Sequence, residues 1–362
     1  MPSTRILVVI GTRPEAIKLA PVVHELRART GVEVRVLATG QHRELLDGTL
    51  AFFGIEPDID LDVMQAGQTL ATLTSRLTAA IDEVLAVEKP DWVVAQGDTT
   101  TVFVAALGSH YRGIGFAHVE AGLRTGDKRA PFPEELNRSL VARLADLHFA
   151  PTARARDALL REGIDESTIE VTGNTAIDAL LWTAERCGPF EHDPARRLVL
   201  VTAHRRESFG EPFHRICDAL LELAARGDVE IVFPVHPNPS IAAPARERLG
   251  AVAGVRLVDP LDPPTFVAAM RASHLILTDS GGVQEEAPTL GKPVLVLRDR
   301  TERPDGIEAG AARLVGTDAD TIVTAAAQLL DDRVAYDAMA RVTNPYGDGQ
   351  AARRIAARLL AQ

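Results

Sequence analysis

Residues 96–138 read QGDTTTVFVAALGSHYRGIGFAHVEAGLRTGDKRAPFPEELNR. An apolar run at 92–95 stops at Gln96-Gly97-Asp98, and a second run at 114–119 stops at Glu120. Short apolar runs closed by Gly and polar residues have the pattern of parallel strands buried on both faces. Ligands of open α/β sheets sit outside the carboxyl ends of such strands, so Asp98 and Glu120 fall at one edge of a sheet. A loop with two prolines then leads to Glu134 at a helix start, where Pro133 suits the first turn and an acidic side chain is favoured. Three carboxylates converging on one crevice point to proton transfer. Taken singly, each acid suits a helix cap or a solvated loop equally well.

The same grammar extends toward the start of the chain. Residues 5–10 (RILVVI) form a strand that ends at Gly11-Thr12-Arg13-Pro14-Glu15 and leads into a helix to about 27. Ile17, Pro21, Val22 and Leu26 give that helix one apolar stripe. A dinucleotide site would need G-x-G-x-x-G at this turn, and the turn lacks it. Arg13 and Lys18 lie instead near the strand–helix junction, where an anion docks on free backbone amides; the alternative is two solvated charges. Strand 32–38, helix 43–53, a helix near 68–88, strand 91–96, helix 99–112 and strand 114–119 follow. After the loop come a helix near 133–145, strand 147–150, a helix near 152–162 and strand 169–172. Such alternation predicts a doubly wound parallel sheet. On the helix after Pro133, Leu136, Leu140, Leu144 and Leu147 are expected on the core side. Glu134 and Arg138, four apart, are expected to pair.

Residues 188–194 (GPFEHDP) read as a linker. A second alternation begins with strand 198–202, which ends at His204, and strand 229–235, which ends at His236. Strands near 255–258, 274–278, 293–297 and 312–315 complete it. Residues 278–286, TDSGGVQEE, close a strand and open a helix whose free amides suit a phosphate, with Glu286 placed to accept from ribose hydroxyls. A tight turn is the other reading of the Gly pair. It is not a P-loop, since Gly291-Lys292 is followed by Pro293. Two α/β halves of similar size predict an active site in the cleft between them.

With 362 residues the chain exceeds the usual single core, so two domains are expected. The net charge of −11 argues against a general nucleic-acid or anionic-membrane surface, but leaves room for a local basic pocket that takes a phosphorylated small molecule. No apolar run reaches membrane-spanning length and no signal peptide precedes the first strand. Cys187 and Cys217 have neither metal-ligand nor redox spacing, so a reducing cytoplasm is the expected location. No H-E-x-x-H or Cys/His cluster suggests a metal, and no cofactor is expected. All but four of the 39 basic residues are arginine, the lysines being Lys18, Lys89, Lys128 and Lys292, so an arginine counts toward a site only through its position.

Taken together the motifs are recognisable. The stretches at 11–22 (GTRPEAIKLAPV), 40–47 (GQHRELLD), 96–101 (QGDTTT), 118–127 (HVEAGLRTGD), 131–138 (PFPEELNR), 172–180 (TGNTAIDAL), 202–210 (TAHRRESFG), 235–239 (VHPNP), 277–304 and 344–351 (NPYGDGQA) resemble the non-hydrolysing UDP-N-acetylglucosamine 2-epimerases in order along nearly the whole chain. The resemblance implies two doubly wound Rossmann-like α/β domains facing a cleft, a glycosyltransferase-B-like fold. The domains are expected at 1–172 and 173–349, with a last helix, 350–362, packing back on the first. It implies interconversion of UDP-GlcNAc and UDP-ManNAc, supplying ManNAc-type sugars for bacterial polysaccharide or secondary-metabolite synthesis, by a cytoplasmic homodimer. Carried over by motif, the UDP-sugar contacts fall on Arg13, His204, His236, Ser280, Gly281, Gly282, Glu286 and Arg303. The acid–base carboxylates fall on Asp98, Glu120 and Glu134, with Lys18, Arg138 and His204 beside the chemistry. Some members bind a second UDP-GlcNAc as an activator, which maps to Gln41, His42 and Glu44. Here Glu44 stands where some bacterial members have Gln, and Gly67 where some have Arg, which counts against that regulation.

The chemistry agrees with these residue types. The C2 proton of an N-acetylhexosamine is not acidic, so inversion needs oxidation or departure of a leaving group. Without a dinucleotide fingerprint, departure of UDP is favoured. Loss of UDP makes C1 cation-like, acidifies C2 and gives a 2-acetamidoglucal, to which UDP re-adds. Proton traffic on two faces calls for more than one carboxylate, and the diphosphate calls for positive charge. A glycosyltransferase of the same fold, a hydrolysing 2-epimerase and a non-catalytic UDP-sugar sensor stand as alternatives. The three acids favour the epimerase over the first, product analysis separates the second, and the sensor would be expected to have lost the acids.

Overall fold

The computed structural model describes residues 3–40, 43–63 and 67–361. The chain divides into two compact units, Met1–Ala179 with Gly347–Gln362, and Leu180–Tyr346. In the first, seven strands form one sheet: β1 Thr4–Ile10, β2 Val32–Ala38, β3 Ile59–Asp60, β4 Trp92–Gln96, β5 Gly115–Val119, β6 Leu147–Ala150 and β7 Ile169–Val171. All neighbours are parallel, in the order β3-β2-β1-β4-β5-β6-β7. The chain winds outward from β1 to β3, then returns to place β4 on the other side of β1. The second unit repeats the scheme with β8 Arg197–Thr202, β9 Val229–Pro234, β10 Val255–Val258, β11 Leu275–Thr278, β12 Val294–Val296 and β13 Ala312–Leu314, in the order β10-β9-β8-β11-β12-β13. The fold is thus the expected pair of doubly wound Rossmann-like sheets.

The central strands are buried on both faces, as parallel sheets covered by helices must be: Ile6, Leu7, Val8, Val9 and Ile10 are all inaccessible. Helix Leu70–Glu88 buries Leu73, Leu77, Ile81 and Leu85, one residue per turn, against a cluster that includes Val93, Phe116 and Val141. Each such leucine contributes roughly 1.5–3 kcal/mol through removal from water. Among the described residues no helix is long and apolar enough to cross a membrane.

Three expectations about helix faces and the linker differ from the structure. On helix Glu134–Leu144 the buried residues are Glu135, Asn137, Val141 and Ala142, while Leu136 and Leu140 are 41% and 40% exposed. Polar partners set this rotation: Glu135 accepts from the backbone N–H groups of Thr125 and Gly126, and Asn137 donates to the carbonyl of Asp98. Leu144 is half-buried, and Leu147 belongs to β6. On helix Arg13–Arg27 the expected Pro21, Val22 and Leu26 are buried, but Ile17 is only half-buried, and Ala16, Leu19, Ala20 and Val23 complete the inner face. The chain also does not pass between units in residues 188–194. It passes within helix Thr175–Arg186, between Ala179 and Leu180, and returns after Tyr346. Residues 188–194 lie wholly inside the second unit, where Phe190 packs on its core.

The last helix, Ala351–Leu360, is held to the first unit by Asp178, whose carboxylate accepts from the N–H groups of Ala351 (3.3 Å) and Ala352 (2.9 Å). Both amides are buried. Asp178→Ala is therefore expected to lower the unfolding free energy by about 2–4 kcal/mol, two orphaned donors at roughly 1–3 kcal/mol each, less what water recovers. Urea unfolding measures the loss, and amide exchange at Ala351 and Ala352 should accelerate ahead of the rest of the unit.

Candidate functional site

The strand order decides which loops are neighbours. In the first sheet the winding reverses between β1 and β4, and the carboxyl ends of β1, β4 and β5 lie side by side. Such a reversal is where open α/β sheets hold their ligands. The three strands release Gly11-Thr12-Arg13, Gly97-Asp98-Thr99 and Glu120 at this edge. In the second sheet the reversal falls between β8 and β11, whose ends release His204-Arg205 and Asp279-Ser280-Gly281.

On the first unit, Lys18 extends from helix Arg13–Arg27 and its Nζ lies 2.5 Å from Oε2 of Glu120, with both side chains largely covered. Glu120 itself has φ 64°, a left-handed backbone that a side chain with a Cβ adopts at a cost of roughly 1–3 kcal/mol. The residue two further on must be Gly, since a Cβ on Gly122 would fall 2.2 Å from the carbonyl oxygen of Ala155. The turn after β5 is thus pressed against helix Ala153–Arg161, and the side chain of Glu120 is aimed from a fixed base.

Arg138 forms ion pairs with Asp98 and, at 3.2 Å, with Glu135. The expected Glu134–Arg138 pair does not form: Glu135, one residue on, is buried and takes the guanidinium, and Asp98 takes its other side. Glu134 remains half-buried at the first position of its helix. Arg13 is half-buried at the start of its own helix.

Behind these groups lie buried polar side chains that anchor the loops. Glu15 is 2% exposed; its Oε2 accepts from the N–H groups of Gly11 (2.5 Å) and Thr12 (3.1 Å), and its Oε1 accepts from the Thr99 hydroxyl (2.8 Å). One carboxyl therefore ties the loop bearing Arg13 to the loop bearing Asp98. Burial pushes its pKa up to about 7 against the pull of those donors. His118 is inaccessible and its Nε2 lies 2.7 Å from the Gly97 carbonyl; burial drives its pKa down to about 3, so the ring is neutral and Nε2–H donates.

On the second unit, Asp279 is fully buried and organises the loop after β8: Oδ2 accepts from the N–H groups of His204 and Arg205, both at 2.8 Å, and from the Ser208 hydroxyl at 3.3 Å. Its Oδ1 stands 3.2 Å from Nδ1 of His204. The pKa of His204 is lowered, first by burial, with Asp279 pulling it up and Arg205 and His236 pushing it down. The rings of His204 and His236 lie 6.1 Å apart, His236 being exposed with Nδ1 accepting from the Asn238 N–H. Helix Gly281–Glu286 opens with its first residue flanked by two cations, since a Cβ on Gly281 would meet the Arg205 and Arg303 guanidiniums at 3.7 Å. Arg303 is held there by buried Glu285, and its carbonyl accepts from the Tyr346 hydroxyl. Ser280 and Glu286 are half-buried and Gly282 is exposed.

Gln41, His42 and the side chain of Glu44 lie outside the described residues. Gly67 has φ 73° and open space around it.

Nothing in the sequence pattern singles out Glu15, Glu135, Arg205 and Asp279 as site residues. All four stand inside motifs named above, but the partners that give them their roles, such as the Thr99 hydroxyl for Glu15, the Thr125 and Gly126 amides for Glu135 and the loop after β8 for Asp279, lie elsewhere in the sequence. Glu15 and Glu135 stand in the first turn of a helix, which is the signal the sequence carries for them.

The family model described as UDP-N-acetylglucosamine 2-epimerase matches residues 24–360. The UDP-N-acetylglucosamine 2-epimerase of Escherichia coli (strain K12) is 50% identical over 364 residues, covering 97% of each chain. The enzyme of that name from Bacillus subtilis (strain 168) is 49% identical over 366 residues, covering 99% of this chain and 96% of its own. A solved UDP-GlcNAc 2-epimerase from Neisseria meningitidis, bound to UDP-GlcNAc, superposes with a TM-score of 0.87 at 43% identity, covering 99% of this chain and 100% of that one.

Proposed function

The chain belongs to the UDP-N-acetylglucosamine 2-epimerase family, and from that premise we propose that it interconverts UDP-GlcNAc and UDP-ManNAc without net hydrolysis, through elimination and re-addition of UDP. The observation that carries this reading is the placement of Asp98 and Glu120 at the ends of adjacent parallel strands, each paired with a cation, with Glu134 at the head of the helix that supplies Arg138.

In this reading the C1–O bond breaks with both electrons going to UDP, and a carboxylate removes the C2 proton, leaving the C1–C2 double bond of 2-acetamidoglucal. The return step protonates C2 from the other face as a β-phosphate oxygen attacks C1. Asp98, Glu120 and Glu134 share the proton traffic, while Lys18 and Arg138 orient two of them. The departing diphosphate is met by Arg13, His204, Ser280, Gly281, Gly282 and Arg303, and Glu286 and His236 serve the ribose and base. The guanidiniums of Arg205 and Arg303 beside Gly281 support the diphosphate assignment, because they concentrate positive charge where a helix start already offers amides. The product would feed reactions that build polysaccharides or secondary metabolites from N-acetylmannosamine units.

Incubation of the protein with UDP-GlcNAc in D₂O, followed by NMR, tests the reading. The expected result is a mixture of the two UDP-sugars carrying deuterium at C2. Oxygen label placed in the C1–O–P bridge is expected to scramble into non-bridging positions, since a freed β-phosphate can rotate. Accumulation of free ManNAc and UDP would make it a hydrolysing enzyme. Inversion without scrambling, persisting in Arg13→Ala and Ser280→Ala where the diphosphate is loosened, would exclude elimination.

A further inference from the structure

Asp279 has a peculiarity that loop anchoring does not explain. One carboxylate oxygen, Oδ2, takes all three donors of the loop: the His204 and Arg205 amides and the Ser208 hydroxyl. The other, Oδ1, is buried and receives no hydrogen bond, yet lies 3.2 Å from Nδ1 of His204. A fully buried carboxylate oxygen without a donor is costly unless something uses it. The nearest candidate is the imidazole, already at ion-pair distance but not aligned as a hydrogen bond. Such bonds commonly tighten only when ligand is bound.

We propose that Asp279 is a positioning residue for His204: Oδ1 takes the Nδ1–H of the ring when UDP binds, so that His204 meets the diphosphate as an imidazolium, with its Nε2–H left for a phosphate oxygen. This rests on the reading above that His204 contacts the diphosphate. Phosphate oxygens accept, so Nε2 carries a proton; a carboxylate Oδ1 on Asp279 accepts too, and Nδ1 then carries one as well. The groups facing the ring are Asp279, Arg205 and His236. Without ligand, burial and the two basic neighbours outweigh Asp279 and favour the neutral ring. The diphosphate adds negative charge on the far side and reverses that balance. UDP binding is therefore coupled to uptake of one proton by His204, and the buried carboxylate makes that uptake possible.

The experiment is ¹⁵N NMR of histidine-labelled protein with and without UDP at pH 7.5, paired with calorimetric titration of UDP in two buffers of different ionisation enthalpy. The expected result is a neutral His204 ring that becomes an imidazolium on UDP addition, with net proton uptake. In Asp279→Asn, where an amide NH₂ can face Nδ1, the ring is expected to stay neutral, the uptake to vanish and UDP affinity to fall about tenfold. Placing Asp279→Asn on a His204→Asn background separates this from simple damage: acting through His204, it should cost no further affinity there. An equal loss in both backgrounds, or a wild-type ring that stays neutral with UDP bound, overturns the proposal. The wild-type spectrum decides even if Asp279→Asn fails to fold. None of these readouts needs turnover, so a chain that binds UDP with proton uptake but does not epimerise would fail the reaction reading alone.

Discussion

Asp98→Asn, Glu120→Gln and Glu134→Gln are each expected to lower kcat by about 10²-fold or more, with UDP affinity close to wild type. Each substitution keeps the shape of the side chain and removes its ability to exchange a proton. UDP binding should be spared because the proposed nucleotide contacts lie largely on the second unit. The three variants should differ in what accompanies the loss. Asp98→Asn removes one of the two carboxylates that hold Arg138, leaving Glu135 as its partner. Glu120→Gln removes the charge facing Lys18. Glu134→Gln disturbs no ion pair with Arg138 and should be the mildest in its effect on stability. Steady-state kinetics with both substrates, together with UDP titration, measure these outcomes; wild-type turnover in any variant removes that residue from the mechanism. Glu120→Gly provides an internal control. It relieves the left-handed backbone at φ 64° while deleting the carboxylate, so it should be more stable than Glu120→Ala, which loses the same ion pair with Lys18 but keeps the strain, with activity gone in both.

The sheets were legible because both faces of a parallel sheet are covered, so their strands appear as unbroken apolar runs with abrupt polar ends. The same abruptness marked Asp98, Glu120, His204 and Ser280, since the chain leaves each strand at the carboxyl edge. β3 escaped notice because two residues, Ile59 and Asp60, carry no pattern. What the sequence could not show is partnership. Glu15 and Thr99 are 84 residues apart, and Asp279 and His204 are 75 apart, so which helix-start acid anchors which loop depends on strand order. Helix Glu134–Leu144 shows how that ignorance misleads. Its leucines suggested an inner face, but the buried bonds of Glu135 and Asn137 turn the helix and leave Leu136 and Leu140 outward. Local apolar periodicity yields to long-range polar satisfaction there, because an unpaired buried amide or carboxylate costs more than a leucine left partly exposed.

Glu15 gives the sharpest test of the energetics. Its pKa is raised from an ordinary 4.5 to about 7 because burial outweighs its three donors. A carboxyl whose folded pKa exceeds its unfolded value binds more protons when folded. Its contribution to stability is then complete below about pH 4.5 and is lost as pH rises through 7. The gap corresponds to about 3 kcal/mol. Glu15→Gln carries a neutral amide at every pH, so whatever constant penalty it brings through its altered hydrogen bonds, it removes this slope. The unfolding free energy of wild type minus that of Glu15→Gln is therefore expected to fall by about 3 kcal/mol between pH 4.5 and 8, and to be flat above. Urea unfolding of both proteins across that range measures the difference, with other titrating groups cancelling between them. Parallel curves would mean that Glu15 titrates normally in the folded protein. A slope of the opposite sign would mean that the amides of Gly11 and Thr12, reinforced by the helix start, hold the carboxylate ionised despite its burial. In that case the tie between the Arg13 and Asp98 loops is a buried anion that accepts from Gly11, Thr12 and Thr99, rather than a neutral acid.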